Sequence, residues 1–424
     1  MRLHDTLSRR LVELPSPPEE IGMYVCGPTV YQRAHIGNAR PYVVASWVAR
    51  WLRHRGQRVK LVHNITDVND KIYEAAPGAS AARAAEATEW YLEDVGRFTL
   101  EAVDAFPKVT ETMDEIVSFI EALVDNDHGY VREGDVYFRV AASPEYGQLS
   151  GQRPDQMEDM EPNPLKDDPR DFALWKATKP GEDTSWDSPW GRGRPGWHIE
   201  CSAMAANELG PSFWIHGGGL DLVFPHHENE RAQSLAVGHP FARVWMHNGM
   251  LRFTGEKMSK SVGNVATIKE VLDEWGRETT LLFFLTAHWR KPLDFSEESM
   301  AAAAAQVESF REVFRSGREA DADRVELAAA LEDDFNTPEA LAIMHRWRAR
   351  GATGPLLEAL EVFGLESLAE GVNVPPEIVA LAEQRRAART NRDFAEADRL
   401  RDEILAAGWV VRDTPDGFEL VPSA

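Results

Sequence analysis

Residues 21–66 limit the fold of this chain more than any other stretch. Ile21-Gly-Met-Tyr-Val25 is a short apolar run with the composition of a buried strand, and Cys26-Gly27-Pro28 ends it. Val43, Val44, Trp47, Val48 and Trp51 then recur at helical spacing over about Ile36 to Arg55, and Gly56 closes that segment. Val59-Lys-Leu-Val-His-Asn-Ile-Thr66 is a second strand that breaks at Asp67. Strand, helix, strand in this order predicts an α/β fold with a parallel sheet, because parallel neighbours need a crossover between them. Ligands of such sheets lie beyond the carboxyl ends of the strands, where Cys26, Thr29, His35 and Thr66 all fall.

The rest of the chain divides around that sheet. Ser80 to Asp127 has a helical pattern, with Tyr91, Val95 and Phe98 on one face and Pro107 as a divider into two helices. The next stretch, 128–190, changes character. The hairpin-like Val131-Arg-Glu-Gly-Asp-Val-Tyr-Phe138 precedes a polar, proline-rich run, as expected of an insertion between two halves of a sheet. Sheet-like segments resume at Trp214-Ile-His216 and Val244-Trp-Met-His247. Beyond 298 the chain is strongly helical, with Thr337-Pro338 as the N-cap and first-turn proline of one helix. A helix over 376–407 ends at Gly408, and Trp409 onward is a closing hairpin. The expected blocks are therefore 1–127 and 191–250 as the two halves of a Rossmann-like domain, 128–190 as the insertion, 251–298 around a basic loop, 299–375 as a helical bundle and 376–424 as a C-terminal region.

A chain of 424 residues with 43% hydrophobic and 27% charged residues is large enough for two or three domains. It has no apolar run of about 18 residues to span a membrane and no N-terminal signal pattern, so a cytoplasmic protein is expected. Two cysteines exclude a disulfide framework. The net charge of −23 opposes nonspecific nucleic-acid binding over the whole surface, but it leaves room for a local basic face. Arg385, Arg386, Arg389, Arg392, Arg399 and Arg401 could form one; Glu396, Asp398, Asp402 and Glu403 among them fit a salt-bridged, solvated helix equally well.

The two cysteines bear on function. Cys26 follows the first strand, and Cys201 lies in Gly196-Trp-His-Ile-Glu-Cys-Ser202. Downstream, Phe224-Pro-His226-His227-Glu-Asn-Glu230 places an imidazole and a carboxylate four residues apart, on one helix face. Alone, a cysteine is more often a small buried hydrophobe. Together Cys26, Cys201, His226 and Glu230 fill a tetrahedral set suited to zinc. Such a site is structural if closed. If open, it takes a thiol as a further ligand, separating cysteine from serine better than a cavity can.

Two other strings suit nucleotide handling. In His35-Ile-Gly37-Asn38, Gly37 permits close approach and the following helix N-terminus favours phosphate, although an ordinary strand-to-helix turn has the same form. Lys257-Met-Ser-Lys260-Ser261, between Gly255 and Gly263, is a basic loop whose lysines can neutralise a leaving pyrophosphate. His216-Gly-Gly-Gly219-Leu-Asp221 adds a glycine turn against which a base or ribose can pack.

Taken together, the His35–Asn38 and Lys257–Ser261 strings resemble the two signatures of class I aminoacyl-tRNA synthetases. Met23–Tyr31, Asn64-Ile-Thr-Asp67, Gly196–Ser202, His216–Gly219, Phe224–Glu230 and Asp393–Asp402 are similar to the cysteinyl-tRNA synthetase family, essentially end to end. The resemblance implies activation of L-cysteine by ATP and transfer to the 3′-terminal adenosine of tRNA(Cys). It implies one zinc ion per chain, held by Cys26, Cys201, His226 and Glu230, and magnesium with ATP. It places Thr66 and Trp197 at the amino acid, and His35, Gly37, Asn38, His216, Gly218, Asp221 and Lys260 around ATP. His35, Lys257 and Lys260 are the expected catalytic residues. The 251–298 block would then carry the signature loop and a stem contact, 299–375 an all-α tRNA-binding bundle and 376–424 an anticodon-binding region, in a monomeric enzyme. Asn38 stands where the first signature often has histidine, and Asn69 where an aspartate is common; asparagine hydrogen-bonds but carries no charge. Two other readings compete. One is a mycothiol-type ligase joining cysteine to an amino sugar, against which Glu228-Asn-Glu230-Arg-Ala-Gln-Ser234 and the Asp393–Asp402 region count. The other is a noncatalytic RNA-binding paralogue, against which the full set of candidate ligands, His35 and both loop lysines count.

Overall fold

The computed structural model describes residues 1–153, 157, 162–254, 266–316, 320–370, 375–414 and 417–422. The basic loop, with Lys257 and Lys260, lies outside the described residues. The chain forms two compact units, Met1–Leu368 and Ala369–Ala424.

The first unit opens with an antiparallel pair, β1 (Arg2–Asp5) and β2 (Arg10–Glu13). The expected crossover follows: β3 (Glu20–Val25), α1 (Ile36–His54) and β4 (Arg58–His63), with β3 and β4 parallel from Glu20↔Arg58 to Val25↔His63. After α2 (Asp70–Ala75), the 80–127 stretch divides into α3 (Ser80–Gly96) and α4 (Met113–Asp125). Pro107 lies in the link between them, which runs beside β4 through bridges Val62↔Ala105 and Ile65↔Lys108. The insertion is an antiparallel sheet of β5 (Gly129–Arg132), β6 (Asp135–Phe138), β7 (Phe172–Ala177) and β8 (Gly193–Pro195), in that order.

α5 (Trp197–Leu209), β9 (Ser212–Gly219), a wide π-type turn at Val223–His227, α6 (Glu228–Ala236) and β10 (Phe241–Asn248) complete the central sheet. Its order is β10-β9-β3-β4, all parallel, so the connectivity reverses between β3 and β9. Strand alternation sorts the side chains onto two faces. Met23, Ile215 and Val244 are in register and share a core with α1. Tyr24, His216 and Trp245 form the adjacent row, on the face that packs against Ile199 and Met204 of α5 and Ala232 of α6. The crevice past the carboxyl ends of β3 and β9 is thus built from both halves.

Beyond it, β11 (Leu251–Phe253) and β12 (Leu293–Phe295) pair in parallel around α7 (Ile268–Trp275) and α8 (Arg277–Leu285). Four helices follow: α9 (Glu297–Arg315), α10 (Val325–Glu332), α11 (Thr337–Arg350) and α12 (Thr353–Val362). They share the α1 core, and Trp47 of α1 donates its indole N–H to the Phe363 carbonyl at 2.9 Å. The cap of α11 is Asn336, one residue earlier than expected: its amide oxygen accepts the Glu339 N–H.

The second unit has its own small core of Ile378, Ala382, Ile404, Val411 and Leu420. The single helix expected over 376–407 is two, α13 (Pro376–Thr390) and α14 (Phe394–Ala406). Arg392 has φ +60°, and Asp393 caps α14 by accepting the Glu396 N–H at 3.2 Å. The break scatters the arginine series. Arg385 and Arg389 pair with Asp413, Arg399 with Glu396 and Glu403, and Arg401 with Asp398 and Asp402, much as a salt-bridged surface would be. The closing hairpin is present as β13 (Trp409–Thr414) and β14 (Gly417–Pro422).

Candidate metal centre and nucleotide cleft

The end of β3 and the adjacent turn fix the first sulfur. Gly27 passes so close to the β4 side that an added Cβ would sit 1.7 Å from the Asn64 carbonyl oxygen. Its N–H donates to the Asn64 side chain at 2.9 Å. Gly27→Ala is expected to push the two backbones apart, costing about 3 kcal/mol or more and displacing Cys26. Denaturant unfolding with a midpoint equal to that of the parent would overturn this.

Cys26 meets Cys201, from the second turn of α5, with sulfurs 3.7 Å apart. Cys26 Sγ lies 3.5 Å from Glu230 Oε1, and His226 Nε2 lies 3.1 Å from the same oxygen. The i, i+4 pair therefore converges as its spacing predicts, although His226 belongs to the wide turn and Glu230 to α6. The four donor atoms all lie within 4.8 Å of one another, and all four residues are buried. Burial pushes both thiols and the Glu230 carboxyl up and the His226 imidazole down, so each is driven toward its neutral form. Four convergent buried donors of this kind are costly unless a cation compensates them, and two sulfurs, a nitrogen and an oxygen fit a soft or borderline divalent ion.

A second grouping, Cys26 with His216, His227 and Glu230, satisfies the same distance limit. It is the poorer set, since it replaces a sulfur by a second imidazole and uses two rings already tied to partners. His216 Nε2 lies 2.7 Å from Glu230 Oε2, and His227 Nδ1 lies 2.7 Å from His247 Nε2, whose Nδ1 is 2.7 Å from the Thr6 hydroxyl. His198 Nδ1 is 2.9 Å from His226 Nδ1, leaving the other nitrogen of His226 for the cluster. The motif reading missed His198, His227 and His247 as supports. The signal for His198 was its place one turn before Cys201 on α5, whereas His247 depends on the β9–β10 pairing, which no local pattern reveals.

A cleft of about 350 Å³ opens beside Cys26. His35, Gly37, Asn38, Trp197 and Asp221 line it, as does Lys71, which the motifs did not single out. Trp197 stacks on the His226 ring, centroids 4.2 Å apart, and so covers the metal set from the cleft side. His35 caps α1: its Nδ1 accepts the Gly37 N–H at 3.1 Å, which leaves Nε2 to carry the proton. A Cβ on Gly37 would lie 2.9 Å from that ring. Burial lowers the His35 pKa, with Asp221 opposing, so the ring is a neutral donor near pH 7. Ile36 N–H donates to the Ala266 carbonyl and Ile268 N–H to the Ala34 carbonyl, each at 2.9 Å, tying the segment after the basic loop to this signature.

Thr66 is buried opposite Thr29, where β3 and β4 have just ended. Two residues expected around the nucleotide, His216 and Gly218, are not on the cleft wall. Alternation puts the His216 ring on the α5–α6 face of the sheet, stacked on Trp245 at 4.8 Å, and the Cα of Gly218 faces the His227 ring. Asn69, in place of the common aspartate, caps α2 by accepting the Lys71 N–H at 3.1 Å, a role that needs no charge.

Residues 13–305 match the family model of the class I (C) tRNA synthetase catalytic domain, 326–348 that of the DALR domain, and 372–419 that of the cysteinyl-tRNA ligase anticodon binding domain. The chain is 45% identical to a cysteine–tRNA ligase of Alkalilimnicola ehrlichii and 41% identical to one of Symbiobacterium thermophilum, in each case over 98% of both chains. Among solved structures, methionyl-tRNA synthetase of Mycobacterium tuberculosis in complex with methionyl-adenylate aligns with TM-score 0.55 at 15% identity, covering 91% of this chain and 88% of that one. A LeuRS–tRNA–LeuAMS complex from Agrobacterium radiobacter aligns with TM-score 0.59 at 11% identity, covering 85% and 86%. At these identities the likeness to solved structures is one of fold.

Proposed function

The chain belongs to the cysteine–tRNA ligase family, an ATP-dependent ligase of the class I synthetases, and from that premise we propose how its residues divide the work. L-Cysteine reacts with ATP to give cysteinyl-adenylate and pyrophosphate, and the cysteinyl group then passes to the 3′-terminal adenosine of tRNA(Cys). Nothing supports an amino sugar as the acceptor: the relatives are cysteine–tRNA ligases over the whole chain, anticodon region included.

The gathering of Cys26, Cys201, His226 and Glu230, with Cys26 on the cleft wall and the others buried behind it, carries the reading. When bound there, zinc supplies a soft Lewis acid that favours a thiolate sulfur over the hydroxyl of serine. His216 holds Glu230 and His198 holds His226, so that the donors keep their orientation. Thr66 and Trp197 flank the amino acid. His35 donates from Nε2 toward the phosphates, Gly37 and Asn38 present the start of α1 to them, and Asp221 faces the nucleotide. Lys257 and Lys260 neutralise the departing pyrophosphate, with magnesium accompanying ATP. The protein works as a cytoplasmic monomer; among the described residues no helix is long and apolar enough to cross a membrane.

Lys260→Ala tests the chemical step. Its charge matters most as pyrophosphate leaves, so kcat for cysteine-dependent ATP–pyrophosphate exchange should fall by about a hundredfold or more while the KM for cysteine stays within a factor of about two. An unchanged kcat would remove the lysine from the mechanism.

A further inference from the structure

Among the described residues that line the cleft, cations outnumber carboxylates. The sequence carries 69 acidic against 46 basic residues, yet among the described residues Asp221 is the one carboxylate lining the cleft, against Arg33 and Lys71. Both cations stand on aromatic rings. Lys71 Nζ lies 5.7 Å from the centre of the Tyr31 ring, and Lys71 makes no ion pair among the described residues. The Arg33 guanidinium lies 5.2 Å from the centre of the Trp90 ring on α3, held by buried Asp94 at 2.8 Å and approached by exposed Glu93 at 3.6 Å. Trp90 is half-buried and sits outside the cleft lining, beyond the residues that surround the amino acid and ATP. A ligand that engages both pairs must therefore extend out of the cleft. Aromatic faces alternating with cations suit a single strand of nucleic acid, in which bases stack and phosphates take the charge.

We propose that Tyr31, Arg33, Lys71 and Trp90 form a track for single-stranded RNA, which receives the unpaired 3′-terminal nucleotides of the tRNA as they enter the cleft. The proposal rests on the reading that this chain charges tRNA(Cys), and it adds the wall along which the acceptor end runs.

The test compares two reactions of the full-length enzyme in Lys71→Gln and Trp90→Ala, with Trp90→Phe as the ring-retaining control. The kcat/KM for tRNA in aminoacylation should fall about tenfold or more in the first two, and at least tenfold further than cysteine-dependent ATP–pyrophosphate exchange. Trp90→Phe should recover most of the loss, and Lys71→Gln should flatten the salt dependence of the KM for tRNA. The track is overturned if exchange and aminoacylation fall together, if both variants keep kcat/KM for tRNA within twofold, or if the phenylalanine fails to rescue in a protein that melts normally. A parent enzyme that carries out exchange but charges no tRNA(Cys) would instead sink the underlying reading.

Discussion

Cys201→Ala loses cysteine-dependent ATP–pyrophosphate exchange by well over the roughly 10–100-fold that removal of an outer-shell partner costs at a metal site. The substitution removes one of two sulfurs from a buried set in which Cys26 Sγ, Cys201 Sγ, His226 Nε2 and a Glu230 oxygen converge. The remaining Cys26, His226 and Glu230 cannot hold a borderline ion with the same preference, so elemental analysis of the purified variant should show the metal content collapsing along with activity. Cys201 is buried and the alanine leaves a small void, so a melting curve separates loss of the ion from loss of the fold. A Cys201→Ala enzyme that exchanges pyrophosphate with an ordinary KM for cysteine would refute the ligand assignment. Metal-free parent protein with full activity would do the same.

Truncation after Leu368 should separate the two half-reactions. The unit that remains contains the whole central sheet, the cleft and the four donors, with a core independent of the small cluster around Ile378 and Ile404. Adenylate formation should then stay within a few-fold of the parent. Aminoacylation of tRNA(Cys) should fall by about a hundredfold or more, because the removed residues include the segment similar to an anticodon binding domain and specific contacts to a base are each worth about 1–3 kcal/mol. Equal losses in the two reactions would show that the tail supports the fold of the rest.

The crossover from β3 through α1 to β4 was legible because each element carries its own period and its own stop, Gly27-Pro28 and Gly56 among them. The His226–Glu230 pair was legible for the same reason, being local. What was not legible depends on tertiary register. His216 looked like a nucleotide contact because of the glycines after it. Pairing with Tyr24 and Trp245 places its ring on the face packed against α5 and α6, behind the cleft wall and against Glu230. The helix over 376–407 looked continuous because its apolar spacing nearly survives the break; the left-handed residue, Arg392, has no glycine to mark it. Lys71 escaped notice for a plainer reason, since an isolated lysine in a short helix has no signature until the cleft it borders is known.

The two sulfurs of the metal set are 175 residues apart, and the carboxylate comes 204 residues after the first of them. A ribosome must therefore release more than half the polypeptide before any segment capable of retaining the ion exists. If the four donors hold an ion, a shorter fragment lacks the full set, which is complete only after β9, the strand that pairs with β3, and the start of α6 have been made. On the proposed zinc reading, starvation for the ion should leave a full-length chain with its N-terminal crossover formed and its amino-acid pocket unfinished.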